Sequence, residues 1–347
     1  MLIEDYGWDA YFAEHWHSQA KDEMFPGRVV ADYGQKLRLI SEIGELEVAR
    51  PLTKENQAVS IAVGDWVALE QLSEDTVGVR FVLPRKTKFS RAAAGNAVKE
   101  QIVAANADTV FLMQSLNRDF NMKRLERYLI AAWESGAAPV VVLTKADCCT
   151  DVAVKVAKAQ DTALGVAVYA ISCLTKAGLK DLQRYFAPGK TVTLLGSSGV
   201  GKSTLVNLLL NKEQFSTQTI RENDSRGRHT TTHRELVLLP SGGLIMDTPG
   251  MRALSLWEAE QGMEIMFGDV EELIQHCRFS DCQHQTEPGC AIRAALEAET
   301  LMVPRWESWL KLQKEKTHLE AKREGTLRLQ EKQWGRQFAK LHKSKRK

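Results

Sequence analysis

TVTLLGSSGVGKSTLVNLLL, residues 191–210, runs from an apolar stretch through a glycine-rich turn into a second apolar stretch of helical character. Gly196, four residues, then Gly201-Lys202-Ser203 is the spacing of a loop that wraps phosphate oxygens. The pattern carries weight because a strand-like run, Val192-Thr193-Leu194-Leu195, precedes it and LVNLLL follows. Glycines let backbone N–H groups turn inward, and the helix start adds a favourable dipole for an anion. The candidate binding residues are therefore Gly196, Ser197, Ser198, Gly199, Val200, Gly201, Lys202, Ser203 and Thr204. Lys202 would reach the β and γ phosphates, and the Ser203 hydroxyl would hold Mg²⁺.

After this loop, Leu244-Ile245-Met246 leads into DTPG, residues 247–250. An apolar strand ending in a carboxylate places Asp247 on the metal side, and Gly250 can offer its N–H to a γ-phosphate. Between the two motifs lies NDSRGRHTTTHREL, residues 223–236. One hydroxyl of Thr230, Thr231 or Thr232 could complete the Mg²⁺ shell; the spacing does not choose, and Thr231 stands as the candidate.

Before the loop, LTKAD, residues 143–147, ends another apolar strand. A carboxylate here can accept both N–H groups on one edge of guanine, a donor pair that adenine lacks. That role falls to Asp147, with the Lys145 stem covering the base. Thr144 stands where GTPases usually carry Asn, and its hydroxyl can still hold the neighbouring loop. Ser172-Cys173 follows a further strand, where GTPases close over the base. The base motifs thus precede the phosphate loop, the reverse of the usual order. A sheet survives cutting and rejoining when its ends are close, and the short link 184–190 allows this. The expectation is a circularly permuted GTPase domain with strands alternating with helices in a parallel, doubly wound sheet. Asp147 argues against ATP, and intact Lys202, Ser203 and Asp247 argue against a vestigial site in an RNA-binding scaffold.

Residues 27–91 contain RVVADY, KLRLI, ELEVA, DWVALE and VGVRFVL, five short apolar runs separated by turns. They suggest a small all-β barrel, with the OB-fold as one five-stranded option. PRKTKFSR, residues 84–91, mixes Arg85, Lys86, Lys88 and Arg91 with Phe89, which suits an RNA backbone and a stacked base, or equally a plain linker. Residues 1–25 carry Tyr6, Trp8, Tyr11, Phe12 and Trp16 and read as a lead segment whose aromatics dock on the body.

Cys277, Cys282, His284 and Cys290 lie within 14 residues of a mostly helical region, 258–347. Three thiolates and one imidazole, with no spare position, describe a closed structural zinc site. Cys148, Cys149 and Cys173 are scattered.

The chain has 347 residues, 44% hydrophobic and 26% charged, enough for two or three domains. Its net charge of +2 is uneven: residues 311–347 hold 13 Lys and Arg against 4 Glu, a surplus of nine, which leaves a deficit of seven elsewhere. Such an arm suits a polyanion, although a charge run is commonly just a solvated helical face. No run approaches the about 18 apolar residues of a membrane span, and the first residues lack a basic and apolar leader, so no membrane and a cytoplasmic location are expected. The expected layout is an N-terminal extension 1–26, a barrel 27–95, the GTPase domain 100–257 and the zinc domain 258–347.

With VGDWV, TKAD, GSSGVGKST, GRHTTTHREL, DTPGMR and CRFSDCQHQTEPGCAI in hand, the chain resembles the RsgA or YjeQ family, small-ribosomal-subunit biogenesis GTPases of bacteria, over nearly its whole length. The resemblance implies an OB-fold that binds RNA, a permuted GTPase domain and a C-terminal zinc domain. It also implies Zn²⁺, Mg²⁺ with GTP, the small subunit and rRNA as partners, a monomer, and hydrolysis that quickens on the subunit. Thr144 and the segment MFGDVEEL, residues 266–273, depart from the family's usual wording. Met251 follows DTPG, where Ras-like enzymes place a water-orienting Gln; a thioether cannot do this, so intrinsic turnover should be slow. His229, beside the threonines, is the candidate catalytic group that positions water, with Lys202 stabilising the developing charge; a surface His in a polar loop is the plain alternative.

Overall fold

A computed structural model describes residues 2–21, 23–51, 60–74, 76–93, 96–117, 119–211, 234–247 and 260–344. The chain forms two compact units, Met1–Ser90 with Ile102–Leu254, and Arg91–Gln101 with Ser255–Lys347.

The first unit opens with a 3-10 turn, Ile3–Tyr6, and helix α1, Ala10–Gln19. Asp9 caps α1 by accepting the Tyr11 N–H at 3.1 Å. Phe12 is buried, Trp8 meets Trp66 edge-on with centroids 4.8 Å apart, and Lys86 Nζ lies 4.8 Å from the Phe12 ring centre. The aromatic lead segment therefore docks on the body, as its composition suggested.

Strands β1 (Met24–Asp32), β2 (Lys36–Ser41), β3 (Gly44–Ala49), β4 (Trp66–Ser73) and β5 (Thr76–Val82) fall on the five apolar runs. All pair antiparallel: β1 with β2 and β4, β2 with β3, and β4 with β5. Period-2 alternation turns Val29, Leu37, Leu39, Val48, Val67 and Leu69 into one buried cluster. Strands β6 (Lys88–Ala93) and β7 (Asn96–Ala105) make a separate two-stranded sheet.

The stacked base in the RNA reading of PRKTKFSR needs correction. Phe89 is only 1% exposed, so its ring is core and offers no face to a base. Arg85 grips the fully buried Asp65 with two bonds of 2.6 and 2.7 Å, and Lys86 is paired with Asp9. Burying an apolar ring and neutralising a buried carboxylate claimed Phe89 and Arg85 for the fold, while Lys86 and Lys88 stay exposed.

The chain then alternates β8 (Thr109–Ser115), α2 (Met122–Ser135), β9 (Ala138–Thr144), α3 (Val152–Thr162), β10 (Val168–Ala170), α4 (Leu179–Leu182), β11 (Thr191–Gly196), α5 (Lys202–Leu210), β12 (Arg234–Leu238) and β13 (Leu244–Asp247). Asn121 caps α2 through the Arg124 N–H at 3.0 Å, and Gly136 ends it in the left-handed region that a helix C-terminus favours. The strand order is β10-β9-β8-β11-β13-β12, parallel except for β12. β8 and β11 are buried along their whole length, as centre strands covered on both faces must be.

This sheet does not stop at β12. Its outer edge pairs antiparallel with β1, Ala31 against Glu235 and Asp32 against Arg234, so one eleven-stranded sheet runs into the antiparallel strands. Arg28 of β1 secures the joint. Its buried guanidinium donates to the carbonyls of Tyr6, Gly64 and Asn106 and to the Thr191 hydroxyl, the last two at 3.0 Å. Burial lowers its pKa to about 10, so it remains charged at neutral pH.

In the second unit, α6 (Glu260–Met266), α7 (Gly268–Gln275), α8 (Ala291–Glu297) and α9 (Val303–Ser344) surround the Cys/His segment. Arg305 of α9 holds Asp269 at 2.6 and 2.7 Å and the Met266 carbonyl at 2.8 Å. Trp309 donates to Glu271 at 2.8 Å. No described helix is long and apolar enough to cross a membrane.

Candidate nucleotide site and metal centre

The phosphate loop lies where β11 gives way to α5, at the carboxyl end of the sheet. Gly199 and Gly201 adopt positive φ, 71° and 104°, and Gly196 lies so near β8 that a Cβ would stand 2.6 Å from the Met113 carbonyl. The three glycine positions of the motif thus answer to two turns and one close approach. Lys202 opens α5 and folds back over the loop, its ammonium donating to the Gly196 and Ser197 carbonyls at 2.7 and 2.6 Å. Ser203 is the next residue of the same helix. Asp247 ends β13, which runs parallel beside β11, so its backbone stands at the same end of the sheet as the loop.

The base motif reaches the same end from the other side. Thr144 ends β9 and is 1% exposed; its hydroxyl donates to the Val200 carbonyl of the phosphate loop at 2.6 Å. One short side chain thus ties the base-motif strand to the phosphate loop across 56 residues of sequence. Lys145 turns the chain through the left-handed region at φ 60°, and Asp147 follows in a 3-10 turn. Both Asp147 oxygens are engaged: Oδ1 accepts the Ser172 hydroxyl at 2.5 Å and Oδ2 the Cys148 thiol at 3.1 Å. The Ser172 bond, and then the Cys148 bond, hold this carboxyl below the ordinary carboxylate range. Ser172 is itself fixed by the Thr175 N–H at 3.1 Å. The structure therefore brings Thr144, Asp147, Ser172 and the phosphate loop to one end of the sheet, in spite of their order along the chain.

His229, Thr230, Thr231, Thr232, Gly250 and Met251 lie outside the described residues. Sequence reasoning missed Asp119, whose carboxylate accepts the Ser197 hydroxyl at 2.5 Å. Nothing in the residues around Asp119 signals this partner, because the contact spans 78 residues.

In the second unit the donor atoms of Cys277, Cys282, His284 and Cys290 all lie within 4.8 Å of one another. His284 Nδ1 is 3.5 Å from both the Cys277 and Cys290 sulfurs. Tetrahedral zinc with Zn–S bonds of about 2.3 Å puts ligand atoms roughly 3.7 Å apart, so the cluster fits that ion. Cys277 follows α7, and Cys290 caps α8, its sulfur accepting the Arg293 N–H at 3.5 Å. Burial works against ionising Cys277, but N–H groups of Ala291 and Ile292 at the start of α8 hold its thiol below the usual value. The ring of His284 meets Trp306 edge-on, centroids 5.4 Å apart. Between His284 and Cys290, Glu287 accepts the N–H groups of Gln283, Gln285 and Thr286 at 2.9 to 3.0 Å. Backbone N–H donors, its own first, pull the Glu287 carboxyl down to about 2.

The family model for the RsgA GTPase matches residues 82–257, the stretch that holds the described nucleotide motifs. The chain is 42% identical over 339 residues to "Small ribosomal subunit biogenesis GTPase RsgA 2" of Vibrio parahaemolyticus, covering 98% of this chain and 91% of the relative. It is also 42% identical to "Small ribosomal subunit biogenesis GTPase RsgA" of Opitutus terrae, covering 92% and 90%. Among solved structures it is similar to YjeQ from Thermotoga maritima, with a TM-score of 0.60, 25% identity, and coverage of 83% of this chain and 97% of the other. YloQ, described as a circularly permuted GTPase, matches in fold at a TM-score of 0.60 and 21% identity, covering 88% of this chain and 98% of that one. The family model across residues 82–257 and relatives 42% identical along almost the whole length agree with the sheet that gathers these motifs at one end: the chain belongs to the RsgA GTPase family.

Proposed function

We propose that this protein binds the small ribosomal subunit and assists its late maturation, hydrolysing GTP to GDP and phosphate as it does so. The observation that carries the nucleotide reading is the Thr144–Val200 bond, which supports one continuous site for base and phosphates. In that site Asp147 accepts the two guanine N–H groups, held in orientation by Ser172, and Lys145 covers the base. The N–H groups of residues 197–204 cradle the phosphates. Lys202 exchanges its loop carbonyls for the β and γ phosphates, and Ser203 with Asp247 holds Mg²⁺, aided by Thr231. Gly250 offers its N–H to the γ-phosphate. Mg²⁺ supplies charge neutralisation on the transferred phosphoryl group. His229 positions the attacking water on the subunit-bound protein, a role that the Met251 thioether after DTPG cannot fill.

The antiparallel strands β1–β5 act as an OB-fold that contacts rRNA, together with the basic arm 311–347. Zinc on Cys277, Cys282, His284 and Cys290 staples helices that lack a large core of their own. The protein works as a monomer in the cytoplasm, where subunits are assembled.

GTP hydrolysis measured with and without purified small subunits tests the reading. Turnover should be slow alone and rise by at least about tenfold on subunits, the scale on which completing a catalytic constellation acts; equal rates would reject it. In the same assay His229→Ala should abolish most of the stimulation, and full stimulation would remove His229 from the mechanism.

A further inference from the structure

The turn after β8 is built with unusual firmness for a connection that no motif claims. Gln114 closes it from below, accepting the Asn121 N–H at 2.9 Å and donating to the Asn121 carbonyl at 3.0 Å. Ser115 donates to Asn117 at 2.7 Å, and the same Asn117 oxygen accepts the Asp119 N–H at 3.1 Å. Lys155 of α3 donates to the Leu116 carbonyl at 3.0 Å. These bonds all fix where the Asp119 carboxylate stands. One of its oxygens accepts the Ser197 hydroxyl at 2.5 Å, and the other accepts the Arg124 guanidinium at 2.7 Å.

Ser197 is the second residue of the phosphate loop. Three residues further on, in the middle of the loop, Val200 is held by Thr144. The loop is therefore tied from two sides, beyond β8 through Asp119 and at the end of β9 through Thr144, with Gly199 between the two ties. A glycine-rich loop left to itself populates many conformations, and ordering it on binding costs affinity. A tether already present in the free protein removes part of that cost.

We propose that Asp119 is a positioning residue for the nucleotide phosphates: through Ser197 it fixes the start of the loop so that the backbone N–H groups face inward before nucleotide arrives. This rests on reading residues 196–204 as the phosphate site. The Arg124 partner matters to the chemistry. A bare carboxylate beside the loop would repel phosphate, and the guanidinium offsets that charge.

The test is a double-mutant cycle on the full-length protein, read with GDP binding in the presence of Mg²⁺ and with steady-state GTP hydrolysis. Asp119→Ala and Ser197→Ala should each weaken GDP binding about tenfold, the scale of one hydrogen bond to a charged acceptor. KM for GTP should rise by the same factor, with kcat within about twofold. The double variant should lose no more than either single one. Asp119→Asn keeps an acceptor and should recover to within about threefold of wild type, since a neutral hydrogen bond is the weaker kind. If Asp119→Asn instead binds GDP more tightly than wild type, the carboxylate acts by repulsion and the proposal is overturned. It is also overturned if the two losses multiply, or if Asp119→Ala lowers the melting temperature while Ser197→Ala binds normally. Wild-type protein that binds neither GDP nor GTP would overturn the phosphate site itself, an outcome distinct from all of these.

Discussion

Thr144 departs from the usual wording of the base motif and still ties its strand to the phosphate loop. A carboxamide and a hydroxyl differ in reach, yet the Thr144 hydroxyl, buried at the end of β9, meets the Val200 carbonyl at 2.6 Å. Thr144→Val should leave that carbonyl without its partner, at a cost of about 1–3 kcal/mol, and weaken nucleotide binding at least about fivefold, whereas Thr144→Ser should bind nearly as wild type. Equilibrium titration with GDP distinguishes the two variants. Asp147 makes the sharper test of base identity. Asp147→Asn should lose affinity for GTP and gain it for xanthosine triphosphate, whose extra carbonyl accepts from an amide; unchanged GTP binding would reject the base assignment. The motif residues were legible in the sequence because each encodes a local requirement: a positive φ, a helix start, a strand end. Asp119 and Glu287 were not, because a carboxylate in a polar turn looks the same whether it faces water or a backbone N–H. Phe89 misled for the opposite reason, since basic neighbours said nothing about which way its ring would point.

At the scale of elements, apolar runs located the strands β1–β5 and the α/β alternation, because period and composition report burial directly. The pairing of β12 with β1 had no such signature: a ladder is made of backbone groups, and backbone is the same in every sequence. The Cys/His segment illustrates a third case. Its cluster of three Cys and one His was legible from spacing, whereas Glu287, between His284 and Cys290, gathers the N–H groups of Gln283, Gln285 and Thr286 without any such signal. Glu287→Ala should leave the four ligands in place but loosen the loop that presents His284. Zinc transfer to a chromogenic chelator should then run several times faster than in wild type, and identical transfer rates would show that the ligands alone set the loop.

Across the whole molecule the charge is divided between a basic arm and an acidic remainder. Residues 311–347 carry the surplus of nine, and α9 extends from Val303 to Ser344, so much of that charge is strung along one helix. If the arm lies on rRNA phosphates, subunit binding should weaken steeply with salt. Removing residues 326–347 should flatten the dependence by about 0.7–0.9 in log–log slope for each phosphate that the arm no longer neutralises. Salt-insensitive binding, or a slope that the truncation leaves untouched, would assign the arm to ordinary solvation.

The eleven-stranded sheet also limits how this protein can be divided. Cutting away residues 1–90 to isolate the nucleotide-binding half would strip β1 from β12 and leave a raw row of backbone donors and acceptors at the rim. The same cut would remove the Arg28 guanidinium from Thr191, at the foot of the strand that leads into the phosphate loop. A fragment made in this way should recruit other chains to its bare rim and precipitate. For a lineage of such proteins, strands β1–β5 are then an inheritance that simple gene truncation should not shed without cost.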